Sequence, residues 1–215
     1  MNIWHDINPS RIKKDHFVAC VEIPKGSKLK YEMDKETGFI ILDRVLYTST
    51  HYPANYGFIP RTYAGDKDPL DVLILCDEIF DPLALVRCKP IGVVKMIDDE
   101  EVDEKIIAVC ENDPSKNGYT DISELPIHMF QEIKHFFTVY KQLENKDTIV
   151  TEILGKEEAI DIIQASIDCY NETFLNKWEQ KLSFFFFLIY NSNVEIIFER
   201  RGRWNGFNCW DCWIT

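Results

Sequence analysis

What this chain lacks narrows it first. No apolar run approaches the roughly 20 residues that span a bilayer, so no membrane helix is expected. Met1-Asn2-Ile3-Trp4-His5-Asp6 has no basic stretch leading into an apolar one, so no secretory signal is expected either. Positive charge is scarce: 24 Lys and Arg against 36 Asp and Glu leave a net charge of −12. That is the wrong sign for gripping a phosphate backbone, which argues against nucleic acid as a partner. No glycine-rich run ends in Gly-Lys-Ser or Gly-Lys-Thr, so there is no P-loop. The five histidines are scattered, no Ser-His-Asp or Cys-His signature stands out, and none of them is assigned chemistry. An EF-hand starting at Asp66 fails, because Leu70 and Asp71 fall where that loop wants an acid or amide and then a glycine.

The seven cysteines are an odd number. Cys20, Cys76, Cys88, Cys110 and Cys169 sit singly in strand-like or helix-like stretches and read as buried free thiols of a reducing cytoplasm. Cys209-Trp210-Asp211-Cys212 is one CxxC without a second ligand pair, which is weak support for zinc or redox chemistry.

What is present is a chain of 215 residues, 46% hydrophobic, enough for one domain with or without an appendage. Phe17–Ile23 is largely apolar and stops at Pro24, Gly26 and Ser27. Lys30–Asp34 alternates, Thr37-Gly38 turns, and Phe39–Leu42 follows, which predicts a hairpin. Val72–Leu75, Leu85–Cys88, Ile91–Met96 and Ile106–Val109 are further strand candidates. Many short strands at this spacing favour a closed barrel over a βαβ sheet. After Pro126 the period changes. Met129, Ile133, Phe136, Phe137 and Tyr140 predict one helix, and Ile160, Ile163, Ile167, Tyr170 and Phe174 predict a second from Lys156 to about Phe174. Strands followed by helices give an α+β class, with the helices packed outside the barrel.

The last residues differ in make-up. From Lys177 onward, five basic residues face four acidic ones, so all of the net negative charge lies before that point. Ser183-Phe184-Phe185-Phe186-Phe187-Leu188-Ile189-Tyr190 has no amphipathic period, and Asn191-Ser192-Asn193 could turn it into Val194–Phe198. Residues 1–176 are therefore expected to form the functional domain and 177–215 an atypical C-terminal extension. An aromatic run of this kind aggregates if left uncovered.

The chemistry concentrates in Asp66-Lys67-Asp68-Pro69-Leu70-Asp71, three carboxylates at the mouth of a strand. Acids this close repel unless hard cations neutralise them, and Pro69 stiffens the loop, so several magnesium ions handling phosphate are the expected use. Further acids stand at Glu22, Glu32 and in the run from Asp98 to Glu104, and basic residues recur beside such groups: Lys30 two before Glu32, Arg44 after Asp43, Lys105 two after Asp103 and Lys141 beside Tyr140. Each charge alone reads as solvated surface. Together, the acids suit hard cations and the bases and phenols suit phosphate oxygens. Tyr52 and Tyr56, in Tyr52-Pro53-Ala54-Asn55-Tyr56-Gly57, can bury a ring and still offer a hydroxyl to an anion, with plain core packing the competing reading.

These stretches, with Glu22-Ile23-Pro24, Lys30-Tyr31-Glu32-Met33-Asp34, Asp43-Arg44, Lys95-Met96-Ile97-Asp98 and Tyr140-Lys141, resemble the family I soluble inorganic pyrophosphatases in order from about residue 4 to residue 176. The signature Asp-x-Asp-Pro-x-Asp is specific to that company. The resemblance implies an OB-like five-stranded β-barrel with flanking α-helices. It implies magnesium-dependent hydrolysis of diphosphate to two orthophosphates, with a metal-activated water and several Mg2+ per site. By matching positions, Asp66, Asp71 and Asp103 would hold the tightest metal, Asp71 bridging to a second. Asp98 and Asp103, with Glu22 through water, would hold metals arriving with substrate. Lys30, Arg44, Tyr56, Tyr140 and Lys141 would clasp the phosphates with support from Lys105, and Asp68 would be the general base. Glu32 and Tyr52 would support from behind. A homo-oligomer is implied, a hexamer favoured and a dimer possible. Two other readings of such a barrel compete: a non-catalytic module binding metal or a polyanion, which has no need of Asp68, and a nucleic-acid binder, which conflicts with the charge.

Overall fold

A computed structural model describes residues 2–98, 101–175, 196–204 and 207–214. The chain divides into two compact units, Met1–Asn171 and Glu172–Thr215. In the second, β9 (Ile196–Trp204) and β10 (Phe207–Ile214) pair antiparallel as a hairpin that contains the CxxC. The aromatic run from Ser183 to Tyr190, with the turn expected after it, lies outside the described residues.

The first unit is built on a mixed six-stranded sheet in the order β1 (Phe17–Ile23), β4 (Asn55–Phe58), β5 (Asp71–Leu75), β7 (Glu101–Cys110), β6 (Leu85–Asp98) and β8 (Thr148–Leu154). β1 pairs with β6 as well as with β4. β5 and β7 run parallel, and the other pairs of this sheet are antiparallel. β2 (Leu29–Met33) and β3 (Ile40–Val45) form the predicted hairpin, separate from the sheet. The helices are the short α1 (Ile3–Asp6), α2 (Ile127–Val139) and α3 (Lys156–Tyr170), the last running into a π turn over Asn171–Leu175.

Alternation along the strands sorts the apolar residues into two cores. Val72, Ile74, Ile106 and Ala108 pack with Ala159 and Ile163 of α3. Leu73, Leu75, Ile107 and Val109 pack with Ile133, Phe136 and Phe137 of α2. Period-two side chains meet period-3.6 stripes on both faces, which is why the central strands are continuous apolar runs. Two expected strands, Leu85–Cys88 and Ile91–Met96, are one strand, because the register slips between Pro90 and Gly92 and the chain continues as a bulge. Gly57 is required by close approach: a Cβ there would stand 1.9 Å from the Cys20 carbonyl oxygen of β1.

Candidate active site

The acid motif sits on a loop tied down by Thr62, whose Oγ1 donates to the Ile59 carbonyl at 2.6 Å and accepts from Leu70 N–H at 2.8 Å. Within the loop, Ala64 N–H donates to the Asp68 carbonyl at 2.8 Å. Asp66 Oδ1 accepts from Asp68 N–H at 3.0 Å, the side-chain turn that short acids favour. Lys67 takes a positive φ of 68° at the bend. Leu70 is fully buried and anchors the loop, so Asp71 opens β5 in parallel register with Lys105 of β7.

That register creates the centre of the site. Lys105 Nζ reaches Asp71 Oδ2 at 2.8 Å and Asp103 Oδ2 at 2.8 Å, and donates to Tyr56 Oη at 3.0 Å. Tyr56 in turn donates to Asp71. Burial pulls the Lys105 pKa down, but Asp71, Tyr56 and Asp103 outweigh it and hold it well above the usual value. Burial, then Asp71, keeps the Tyr56 phenol protonated and thus a donor. At the end of α2, Tyr140 caps the helix and Lys141 follows, a place where a cation is favoured. Thr148 Oγ1 bonds the Phe137 carbonyl at 2.5 Å and satisfies part of that helix end. Lys141 bonds Asp98, and Tyr140 Oη donates to the same carboxylate at 3.4 Å.

Glu22 is buried, and its Oε1 accepts from Met33 N–H at 2.8 Å. Burial, helped by the Asp71 charge, pushes its pKa up to about 8. Asp66 is likewise pushed up to about 6, by burial and then by Asp71, Asp103 and Asp68, although the Asp68 N–H bond opposes this. Lys30, opposite Arg44 in the β2–β3 register, bonds Glu32 and reaches Asp43 Oδ2 at 3.2 Å. Tyr52 is almost wholly buried, its ring 4.8 Å from that of Phe136 and 5.2 Å from that of Tyr56, so core packing and a place at the site coincide.

One cleft of about 240 Å³ collects these groups: Glu22, Lys30, Glu32, Tyr52, Tyr56, Asp66, Asp68, Asp71, Asp98, Asp103, Lys105, Tyr140 and Lys141 all line it. Arg44 does not. It turns instead to Asp43 at 3.3 Å and to Glu144 Oε2 at 2.9 Å. Sequence reasoning missed Glu144 and Lys35, the latter bonded to Asp68 from the β2–β3 turn. For Lys35 the available signal was its place in the turn between two site-bearing strands. For Glu144 there was none, since its pairing is purely tertiary.

Among the described residues, no three His, Cys, Asp or Glu side chains converge on one point as metal ligands. Mutually repelling carboxylates take ammonium partners instead: Lys105 for Asp71 and Asp103, Lys141 for Asp98, Lys35 for Asp68. The make-up of the cleft nevertheless fits hard cations. Its lining has seven carboxylates against four lysines, and Asp98 Oδ1 is buried with no hydrogen-bond partner among the described residues. Such an oxygen is costly unless something takes it up, and an all-carboxylate donor set selects magnesium-like ions over zinc.

A mixed sheet that gathers acids, ammoniums and neutral phenols into one cleft defines a hydrolase-type site for a compact polyanion. The family model for inorganic pyrophosphatase matches residues 19–171. The chain is 50% identical over 173 residues to soluble inorganic pyrophosphatase 2 of Chlamydomonas reinhardtii, covering 80% of this chain and 90% of that one. To soluble inorganic pyrophosphatase 1 of Arabidopsis thaliana it is 49% identical over 173 residues, 80% of this chain and 82% of the relative. The solved inorganic pyrophosphatase of Helicobacter pylori superposes with a TM-score of 0.72 at 42% identity, covering 74% of this chain and 96% of that one. The chain belongs to the inorganic pyrophosphatase family and is an inorganic diphosphatase.

Proposed function

We propose that the chain hydrolyses inorganic diphosphate to two orthophosphates in a magnesium-dependent reaction with Asp68 as general base. The observation that carries this is the cleft uniting Asp66, Asp68, Asp71, Asp98 and Asp103 with Lys30, Lys105, Lys141 and the phenols of Tyr56 and Tyr140. With seven carboxylates lining it, the cleft repels an anion of about three to four charges unless cations intervene. Asp66, Asp71 and Asp103 would hold the tightest magnesium, and Asp98 and Asp103, with Glu22 through water, those that come with substrate. Magnesium bound there neutralises acids and phosphate oxygens and lowers the pKa of water.

The protein's own groups do the rest. Lys30, Lys105 and Lys141 offset charge on the diphosphate, and Tyr56 and Tyr140, whose hydroxyls burial keeps protonated, donate to it by turning from Asp71 and Asp98. Arg44 joins them by leaving Glu144, while Glu32 holds Lys30 and Tyr52 backs Tyr56. Asp68, half exposed on its loop, takes the proton of the attacking water. Charge built up on the departing phosphate stays matched by the lysines, which is most of what a loose phosphoryl-transfer transition state requires.

The closed circuit of pairings through β1, β4, β5, β7 and β6 supports an OB-like five-stranded barrel. Residues 1–176 then form the enzyme and 177–215 an extension outside it, consistent with a family match that stops at residue 171. No helix among the described residues is long and apolar enough to cross a membrane, and the free thiols of Cys20, Cys76, Cys88 and Cys110, buried as expected, and of Cys169, exposed rather than buried, suit a reducing cytoplasm. A homo-oligomer, a hexamer before a dimer, is what the family resemblance implies. The test is phosphate release from diphosphate with magnesium, with chelator, and in Asp68→Asn. Turnover should need magnesium and drop about 100- to 10,000-fold in the variant with the fold intact. Full turnover in Asp68→Asn would remove that residue from the mechanism.

A further inference from the structure

Lys35 has no role in the mechanism above, yet it lines the same cleft and its ammonium bonds Asp68. Its place is not left to a loose turn. The Lys35 carbonyl accepts from Asn2 Nδ2 at 3.1 Å, and its ammonium lies 5.9 Å from the centre of the Trp4 ring. Trp4 is buried, and its indole N–H donates to the Thr62 carbonyl at 2.9 Å. Thr62 is the same residue whose hydroxyl clamps the acid loop through Ile59 and Leu70. One strut therefore sets Lys35 and Asp68 relative to each other.

The pair that results is a poor stabilising device. Its side chains are 52% and 48% exposed, where an ion pair contributes little. A buried indole braced under a half-exposed ammonium makes more sense as a means of holding a cation ready than of holding the fold. Cation–π attraction keeps the ammonium over the ring whichever oxygen it bonds. Each other lysine of the cleft likewise rests on a carboxylate: Lys30 on Glu32, Lys105 on Asp71 and Asp103, Lys141 on Asp98.

We propose that Lys35 is a further diphosphate-binding residue, parked on Asp68 in the free protein and moving to a phosphate oxygen when the anion enters. The move leaves the Asp68 oxygen open to a water. This rests on the reading of the cleft given above, and it makes the N-terminal segment from Asn2 to Trp4 part of the positioning of substrate.

The test uses the full chain with Lys35→Met and Lys35→Arg. Binding of imidodiphosphate, whose P–N–P bridge resists hydrolysis, is measured by calorimetry in magnesium buffer beside steady-state kinetics on diphosphate. Lys35→Met should raise the imidodiphosphate Kd and the diphosphate KM about tenfold, with kcat within about threefold, as expected for loss of one charge-assisted bond. Lys35→Arg should recover most of the affinity, and unchanged thermal midpoints would show that the fold is intact. Wild-type Kd and KM in Lys35→Met would overturn the inference. So would a fall confined to kcat, since Lys35 would then serve Asp68 alone. A wild-type chain that binds imidodiphosphate through Lys35 but releases no phosphate would sink the hydrolase reading and leave this one standing.

Discussion

Lys105 is where the charges of the site balance. It is 3% exposed and contacts two carboxylates and a phenol, so removing it takes from Asp71 and Asp103 their ammonium partner among the described residues. Lys105→Met should lower unfolding free energy by about 3 kcal/mol, the low end for breaking a buried pair, because both acids retain some contact with solvent. Urea denaturation in chelator is the measurement, and an unchanged midpoint would mean that the acids find other partners. Magnesium should return part of the loss, since a divalent cation substitutes for the missing ammonium. At this scale the sequence was informative about residue type and silent about pairing. Asp66, Asp68 and Asp71 announce themselves because they sit within six residues of one another. That Lys35 meets Asp68, or that Arg44 meets Glu144, depends on elements far apart in the chain, and no local pattern records it.

Among the elements, β1 and β5 were legible because both faces of each are buried, so their residues are apolar except for Glu22 near the end of β1 and Asp71 at the start of β5. The helices were legible from three-and-four spacing, although α3 stops at Tyr170, short of Phe174, where its hydrogen bonding widens into a π turn. β4 was hidden: Tyr52–Pro60 has proline near both ends and reads as a chemical motif, yet Asn55–Phe58 is a fully buried central strand. β8 was hidden as well, for its burial is mixed and it follows a polar turn. What makes β4 possible is Gly57, which lets its backbone lie against β1. A Cβ would come within 2.9 Å of three backbone atoms of Cys20 and Val21, and backbone cannot step aside as a flexible side chain can. Gly57→Ala should therefore lose about 3 kcal/mol, the upper end for overpacking. Turnover should fall as well, because Tyr56 precedes Gly57 on the same strand. Equal denaturation midpoints for the two proteins would show that β1 and β4 can separate without cost.

For the molecule as a whole, burying Glu22 without cations should make stability fall as pH rises from 6.5 to 8. Glu22 is raised to about 8, from an ordinary carboxyl value near 4.5, chiefly by burial. A group whose folded pKa exceeds its unfolded one favours folding fully below the unfolded value and loses that contribution as pH climbs to the folded value. Asp66, raised to about 6, completes its loss by then. His5, held below 6.5 mainly by burial, acts in the opposite direction but is finished by pH 6.5. Acids held below their usual values, such as Asp121 and Glu124, act only at lower pH still. Between pH 6.5 and 8, Glu22 is thus the group that sets the slope. In chelator, unfolding free energy should decline by on the order of 1–2 kcal/mol across that window and level off above it. Glu22→Gln, which mimics the protonated acid, should flatten the curve. Magnesium should flatten or invert it, because the ion binds the ionised form and adds about 2.7 kcal/mol at one hundred times its dissociation constant. Denaturation midpoints of the two proteins, taken with chelator and with magnesium at several pH values, decide the matter. A wild-type slope that survives in Glu22→Gln would place the responsible group elsewhere, and no slope at all would mean that water reaches Glu22 freely.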